Sequence, residues 1–266
     1  MIGEYDISIA RACKLMEIYR SYFYYRDKRD DTLVEEAIRE ASIFDEGFWK
    51  IYQRIRRDGK GWNHKKVYRV YKAMHYNKRS KLKRRLPVRE RHPLVIPEGP
   101  NTTWSVDFVS DKVECGRQFR VMNILDDFNR CAVGQEISMS MPTERVIRLL
   151  EKVIWLNGKP ENIRCDNGPE FISARFREWS KANGINIMYI QPGKPTQNSY
   201  IERFNGSYRR AVLNRYIFRN LEDVRMKTEE WMNDYNENRP HNSLGGMSPN
   251  EYKREYELKN TRASAV

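Results

Sequence analysis

Short apolar runs alternate with amphipathic segments between residues 103 and 208, and this order restricts the fold of the chain more than any other feature. Three strand-like runs come first: TWSVDFV, FRVMNILDDF and the residues from Cys131 to Ile137. The segment MPTERVIRLLEKVIWLNG has helical spacing, and strand, helix, strand and helix patterns follow it. This order is typical of a mixed sheet with helices packed against it. The sequence therefore predicts an α/β fold for the larger part of the chain.

Three acidic residues lie at the expected ends of these elements. Asp166 follows the strand-like run ENIRC and precedes Asn-Gly-Pro, a strong turn sequence. Pro169 then suits the first position of a helix. Helical spacing resumes at Tyr200 after the loop QPGKPTQNS, which puts Glu202 in the first turn of another helix. The third acid, Asp107, lies upstream within the strand-like run TWSVDFV.

Four blocks of sequence carry a resemblance to a known family: WSVDF, DNGPEF, PGKPTQNSYIERFNGSYR and YNENRPHNSLGGMSPNEY. They resemble the catalytic core of insertion-sequence transposases, which have an integrase-type Asp, Asp, Glu triad and belong to the retroviral-integrase superfamily. The nearest resemblance is to elements with two overlapping reading frames, in which the second-frame product carries the core. The resemblance implies a ribonuclease H-like fold for residues 101–255, including a C-terminal helical tail.

The same resemblance implies that Asp107, Asp166 and Glu202 are the catalytic residues. In this family the three positions hold two Mg²⁺ (or Mn²⁺) ions in each active site. Mg²⁺ prefers hard oxygen ligands such as carboxylates, and two ions can stabilise both the attacking and the leaving oxygen of a phosphodiester. Any one of these acids considered alone is better explained as surface charge. Three further acids are interpreted as supporting groups rather than ligands: Asp126, Asp127 and Glu170.

Positive charge is concentrated in the N-terminal third. Residues 1–92 have a net charge of +11, whereas the rest of the chain has +2. Residues 1–77 show helical spacing with basic faces, and they resemble the helix-turn-helix region that precedes the core in the same family. Generic amphipathic helices would look much the same. Residues 78–100 form a basic and proline-rich linker, for which a solvated segment without fixed contacts is the alternative.

These two N-terminal parts supply candidate contacts to DNA phosphates, which commonly pair with arginine and lysine. The candidates are Arg54, Arg56, Arg57, Lys65, Lys66, Arg69, Lys81, Lys83, Arg84 and Arg85.

Further DNA contacts are predicted around Glu202. Asn205 and Arg209 lie three and seven residues after it, so they share its helical face. Arg209 would then hold a phosphate, and Asn205 would contact sugar or base edges. Lys194 and Asn198 lie in the preceding loop, where a glycine allows close approach of DNA. The family resemblance supports Lys194, Asn198 and Arg209.

The resulting hypothesis is a DNA transposase, a polynucleotidyl transferase and DNA endonuclease that cuts and joins insertion-element ends. The alternatives are a non-catalytic DNA-binding regulator and a ribonuclease H-like nuclease without strand transfer. The main expected partner is double-stranded DNA, both at the terminal repeats of the element and at the target. Further copies of the chain on DNA and the first-frame product are also expected partners. Four scattered cysteines and the lack of an apolar stretch of roughly 20 residues favour a cytoplasmic protein without a membrane partner.

Overall fold

The N-terminal region is helical in a computed structural model, which describes residues 7–25, 30–44, 46–77, 97–191 and 195–263. Its helices are α1 (Ile9–Leu15), α2 (Arg20–Phe23), α3 (Thr32–Ala41), α4 (Phe48–Arg57) and α5 (His64–Ala73). Helices α3, α4 and α5 bury Ile38, Ile55 and Val67 in a small core of their own. The Asn63 side chain caps α5 by accepting from the Lys65 backbone N–H. The predicted all-α N-terminal region is therefore confirmed.

A five-stranded sheet follows in the described part of the chain. Its strands are β1 (Thr103–Lys112), β2 (Gln118–Asp126), β3 (Ala132–Ser138), β4 (Asn162–Cys165) and β5 (Asn186–Tyr189). They lie in the order β3-β2-β1-β4-β5. The pairs β3-β2 and β2-β1 are antiparallel, whereas β1-β4 and β4-β5 are parallel. The predicted mixed sheet is confirmed.

Helices lie on both faces of this sheet. They are α6 (Thr143–Asn157), α7 (Pro169–Ile172), α8 (Ala174–Ala182), α9 (Ser199–Tyr208), α10 (Leu221–Glu237) and α11 (Pro249–Ala263). A π-helical segment (Arg209–Leu213) extends α9, and two 3₁₀ turns (Pro195–Asn198 and Asn242–Leu244) complete the description. Within the described ranges no helix combines the length and apolar character needed to cross a membrane.

Two apolar clusters fix these helices on the sheet. On one face, Val146 of α6 and Phe176 of α8 pack with Val106 of β1. On the other face, α9 and α10 bury Phe204 and Trp231 against the sheet. Burying each large apolar side chain stabilises the fold by about 1.5–3 kcal/mol.

The close approach of α6 to the sheet depends on one glycine of β3. A Cβ built on Gly134 would lie 2.4 Å from Cγ2 of Val153 and 3.3 Å from Cδ1 of Ile124. Because protein interiors are close-packed, any side chain at this position would push the helix away from the strands.

The N-terminal helices pack directly on the C-terminal part of the core. The Arg54 guanidinium on α4 donates to both carboxylate oxygens of Asp234 on α10, at 2.7 and 2.6 Å, and its Nε donates to Glu46 at 2.8 Å. Phe44 is buried in the same cluster as Trp231. Arg54 is buried, and both of its partners are carboxylates of this chain. The prediction that Arg54 contacts a DNA phosphate is therefore wrong, because its guanidinium is already paired.

Candidate active site

Asp107 and Asp166 are brought together by the parallel pairing of β1 and β4. Ser105 of β1 lies opposite Arg164 of β4 in that pairing. Asp107 and Asp166 each lie two residues further along, and β4 ends just before Asp166. The two acids are therefore neighbours at the carboxyl end of β4, where ligand sites of open α/β sheets are commonly found.

Gly168 lies in the turn after β4, close to two carboxylates. Its backbone N–H donates to Asp166 Oδ1 at 3.0 Å. A Cβ built on this glycine would lie 3.0 Å from that same oxygen and 3.0 Å from Glu170 Oε2. A side chain here would lie tightly against both carboxylates, which would have to shift by a few tenths of an ångström.

Helix α9 is joined to β1 by a chain of amide groups. Asn205 Nδ2 donates to Asp107 Oδ2 at 2.8 Å, and Asn205 Oδ1 accepts from Asn123 Nδ2 at 2.7 Å. Asn123 Oδ1 in turn accepts from Gln135 Nε2 at 2.7 Å. Glu202 lies one helical turn before Asn205, so this contact directs the Glu202 face of α9 towards β1.

Electrostatic coupling also connects the three acids. Burial, together with the negative charges of Asp166 and Glu202, raises the pKa of Asp107 to about 6. The pKa of Glu202, which is exposed, is raised by desolvation. Asp107 therefore lies within electrostatic reach of both other carboxylates.

The donor set fits a hard divalent ion. Three carboxylates supply only oxygen ligands, and the like charges that raise the Asp107 pKa would be neutralised by a bound cation. Within the described ranges, no three His, Cys, Asp or Glu side chains already form a cluster that could hold an ion.

The three acids interpreted as supporting groups already have partners. Asp127 accepts from Ser105 Oγ at 2.7 Å and forms an ion pair with Arg164. Asp126 accepts from the backbone N–H groups of Asn101 and Phe128, both at 2.8 Å. Glu170 forms an ion pair with Arg120.

Two of the four DNA contacts predicted around Glu202 lie in buried positions. Asn205 is 8% exposed and Asn198 is 3% exposed. The Asn205 amide is occupied by two side chains and does not face outwards for base or sugar contacts. Arg209 is half-exposed, and its guanidinium donates to the Ser110 carbonyl at 2.8 Å. Lys194 lies outside the described residues.

The N-terminal candidates differ in exposure. Arg56, Lys65 and Lys66 are exposed. Arg57 is exposed, but it donates to the Asn238 carbonyl and forms an ion pair with Glu251. Arg69, also exposed, donates to Asp31 at 2.8 Å. The linker candidates lie outside the described residues: Lys81, Lys83, Arg84 and Arg85.

Asn123 and Gln135 were missed by sequence reasoning. Asn123 is fully buried in β2. In the sequence it stands out only because it is polar and lies inside the apolar run VMNIL. A polar residue in a buried strand requires hydrogen-bond partners, so it is a usable signal for a buried network.

Comparison with known proteins gives consistent similarities. Two family models described as "Integrase core domain" match residues 97–195 and 183–249. The uncharacterized 31.7 kDa protein of insertion element IS407 from Burkholderia multivorans is 37% identical over 251 residues, which cover 93% of this chain and 91% of that protein. The transposase for insertion sequence element IS629 from Shigella sonnei is 28% identical over 162 residues, or 60% of this chain and 54% of that protein.

The fold is also similar to that of a solved structure. A chain in the structure of the simian T-cell lymphotropic virus intasome, in complex with PP2A regulatory subunit B56 gamma, has a TM-score of 0.54 and 17% sequence identity. The similarity covers 82% of this chain and 74% of that chain. The predicted ribonuclease H-like arrangement of the sheet and its helices is therefore confirmed.

Proposed function

This chain belongs to the insertion-sequence transposases of the retroviral-integrase superfamily, and we propose that it cuts the ends of an insertion element and joins them to another DNA strand. The observation that carries this proposal is the meeting of Asp107, Asp166 and the Glu202 face of α9 at one end of the sheet. The two alternatives, a non-catalytic regulator and a nuclease without strand transfer, are not favoured by the relatives.

We assign the catalytic role to Asp107, Asp166 and Glu202, which would hold two divalent ions, Mg²⁺ or Mn²⁺. When bound, such ions stabilise the charge on the attacking and leaving oxygens of a phosphodiester. Asp107 must be deprotonated to serve as a ligand, because a protonated carboxyl has lost the charge that attracts a cation. Burial and the neighbouring acids raise the pKa of Asp107 to about 6, so its neutral form becomes populated as the pH falls towards that value.

Asn205 is proposed as a positioning residue for Asp107. Its amide holds one carboxylate oxygen, while the Phe108 backbone N–H donates to the other at 2.8 Å. Asn123 and Gln135 fix the amide from behind, so the carboxylate has little freedom to rotate. Catalytic groups held in this way lose less free energy to reorganisation during the reaction.

DNA contacts are proposed for the basic residues that reach the surface. Arg209 begins the π-helical segment that extends α9, seven residues after Glu202, and it is placed to approach a phosphate close to the acids. In the N-terminal region the exposed Arg56, Lys65 and Lys66 are the strongest candidates. The basic linker, Lys194 and Asn198 are proposed on sequence alone, and the Asn198 side chain is buried.

The proposed partners are double-stranded DNA, at terminal repeats and at the target, and further copies of this chain assembled on it. An upstream reading-frame product is proposed as a further partner. We place the reaction on DNA in the cytoplasm. The division into a helical region (1–77), a linker (78–100) and a core (101–255) is retained as part of the proposal.

Product analysis tests the proposed reaction. The full chain is incubated with Mg²⁺ and end-labelled duplexes that carry the ends of the element. Strand joining is expected, and it appears as labelled products longer than the substrate. Nicks without any longer product would indicate a nuclease, and binding without any new product would indicate a regulator. Either outcome overturns the proposal.

A further inference from the structure

A cavity of about 190 Å³ lies on the side of α9 that faces away from Glu202. Tyr200, Phe204 and Ser207 of α9 line it, and their spacing puts them on the opposite helical face from Glu202 and Asn205. The other walls come from α4, from the turn between β2 and β3, and from the segment after α10. The volume exceeds the roughly 30 Å³ of one water molecule several times, so a small polyatomic ion would fit.

The lining of this cavity is strongly basic. Its cations are Lys50, Arg130, Arg203 and Arg239, and the described residues that line it include no carboxylate. Two carboxylates lie behind the wall. Glu46 and Asp234 both pair with Arg54, and the other oxygen of Glu46 lies 3.5 Å from Arg239. Positive charge is therefore in excess at the cavity.

Several buried donors in the wall lack a hydrogen-bond partner among the described residues. Arg130 and Arg239 are each only 8% exposed. Nη1 of Arg130 and Nε of Arg239 have no partner there, and Nε2 of the neutral His241, whether donor or acceptor, has none either. The Arg130 guanidinium stacks on the Tyr200 ring, with its central carbon 3.3 Å from the ring centre. Buried unpaired donors are rare in native proteins, so such a group calls for an unseen partner.

Burial and like charge together lower the pKa of two groups at this cavity. Burial and the charge of Arg239 lower the pKa of Lys50 to about 8. Burial and the charges of Lys50, Arg239 and Arg130 lower the pKa of His241 to about 3. A bound anion would relieve both effects, because it would supply the negative charge that these groups lack.

We propose that this cavity is a binding site for a phosphoryl anion, which accepts hydrogen bonds from Arg130 and Arg239 and is neutralised by Lys50. Arginine and lysine are the usual partners of phosphate oxygens. The anion is either inorganic phosphate or a backbone phosphate of DNA, since both present the same oxygens. It would connect α4 of the N-terminal region to the core. The site is separate from the acids of the candidate active site and does not depend on their chemistry.

Titration of the full chain with inorganic phosphate tests this assignment. Melting temperature is followed at constant ionic strength, with chloride as the compensating salt. The wild type should show a saturable rise, and Lys50→Gln should bind phosphate about tenfold more weakly or worse, as expected for loss of a contact to a charged group. Lys50→Arg keeps the charge and should retain binding. Lys181→Gln, an exposed lysine of α8, is the matched control and should behave as wild type.

The assignment is wrong if chloride gives the same rise as phosphate, or if Lys50→Gln binds phosphate as well as Lys181→Gln does. Circular dichroism establishes that each variant is folded before it is titrated. A short DNA duplex added to the wild type then separates the two sources of the anion. Loss of the phosphate effect identifies a DNA backbone phosphate as the occupant, whereas an additive effect identifies a free anion. Both results support the site, and neither depends on strand joining.

Discussion

Replacement of Asn205 with alanine should weaken the fold and the reaction together, because this amide joins Asp107 to β2. The change removes a hydrogen bond to a carboxylate, which is worth about 1.5–3 kcal/mol. It also leaves the Nδ2 group of Asn123 without its partner in a fully buried position, at a cost of about 1–3 kcal/mol. Alanine recovers roughly 0.5 kcal/mol through its better helix propensity. The free energy of unfolding should therefore fall by about 2–5.5 kcal/mol.

Urea unfolding of the full chain measures this loss. Asn233→Ala on α10 is the matched control, since Asn233 is exposed in the middle of a helix and its replacement should change stability by no more than about 0.5 kcal/mol. Strand joining should also fall in Asn205→Ala under conditions where the variant is folded, because Asp107 is no longer held. Equal stability of the two variants, together with unchanged joining, would refute the amide chain as a positioning device.

Arg209, Asp107 and Asp234 each give a further prediction. Arg209→Ala should lower DNA affinity and strand joining with little change in melting temperature, because its bond to the Ser110 carbonyl is exposed; early melting with normal DNA affinity would contradict this. Stabilisation by Mg²⁺ should weaken as the pH falls through about 6, where Asp107 takes up a proton and is lost as a ligand; equal stabilisation above and below that pH would contradict it. Asp234→Ala should lower the free energy of unfolding by about 3 kcal/mol, since it removes one partner of the buried Arg54; a denaturant melt that matches the wild type would contradict it.

Much of the fold could be predicted because its signals are local. Strand and helix patterns depend on the spacing of neighbouring side chains, and they placed the five strands in their correct order along the chain. The turn after β4 is equally local, since Asp166, Gly168 and Pro169 are consecutive or nearly so.

The contacts that position the acids could not be predicted in this way. Asn205 is 98 residues from Asp107 and 82 residues from Asn123, so its partners depend on how α9 lies across the sheet. Spacing correctly placed Asn205 on the Glu202 face, but spacing does not tell whether that face meets solvent or another strand. Arg54 shows the same difficulty, because its carboxylate partner Asp234 is 180 residues away. A basic residue on an amphipathic helix has the same local pattern whether it contacts DNA or a buried acid.

The most direct test of the account is a joining assay with Mg²⁺ and labelled element ends on three variants: Asp107→Asn, Asp166→Asn and Glu202→Gln. Each amide keeps the shape of the acid but loses the charge that holds a cation. Several kcal/mol of transition-state stabilisation should therefore be lost. Each 1.4 kcal/mol lost lowers the rate about tenfold. Joining should be abolished in all three variants, while DNA binding should stay almost intact. Near wild-type joining by any one of them would remove that residue from the active site and contradict the proposed catalytic triad.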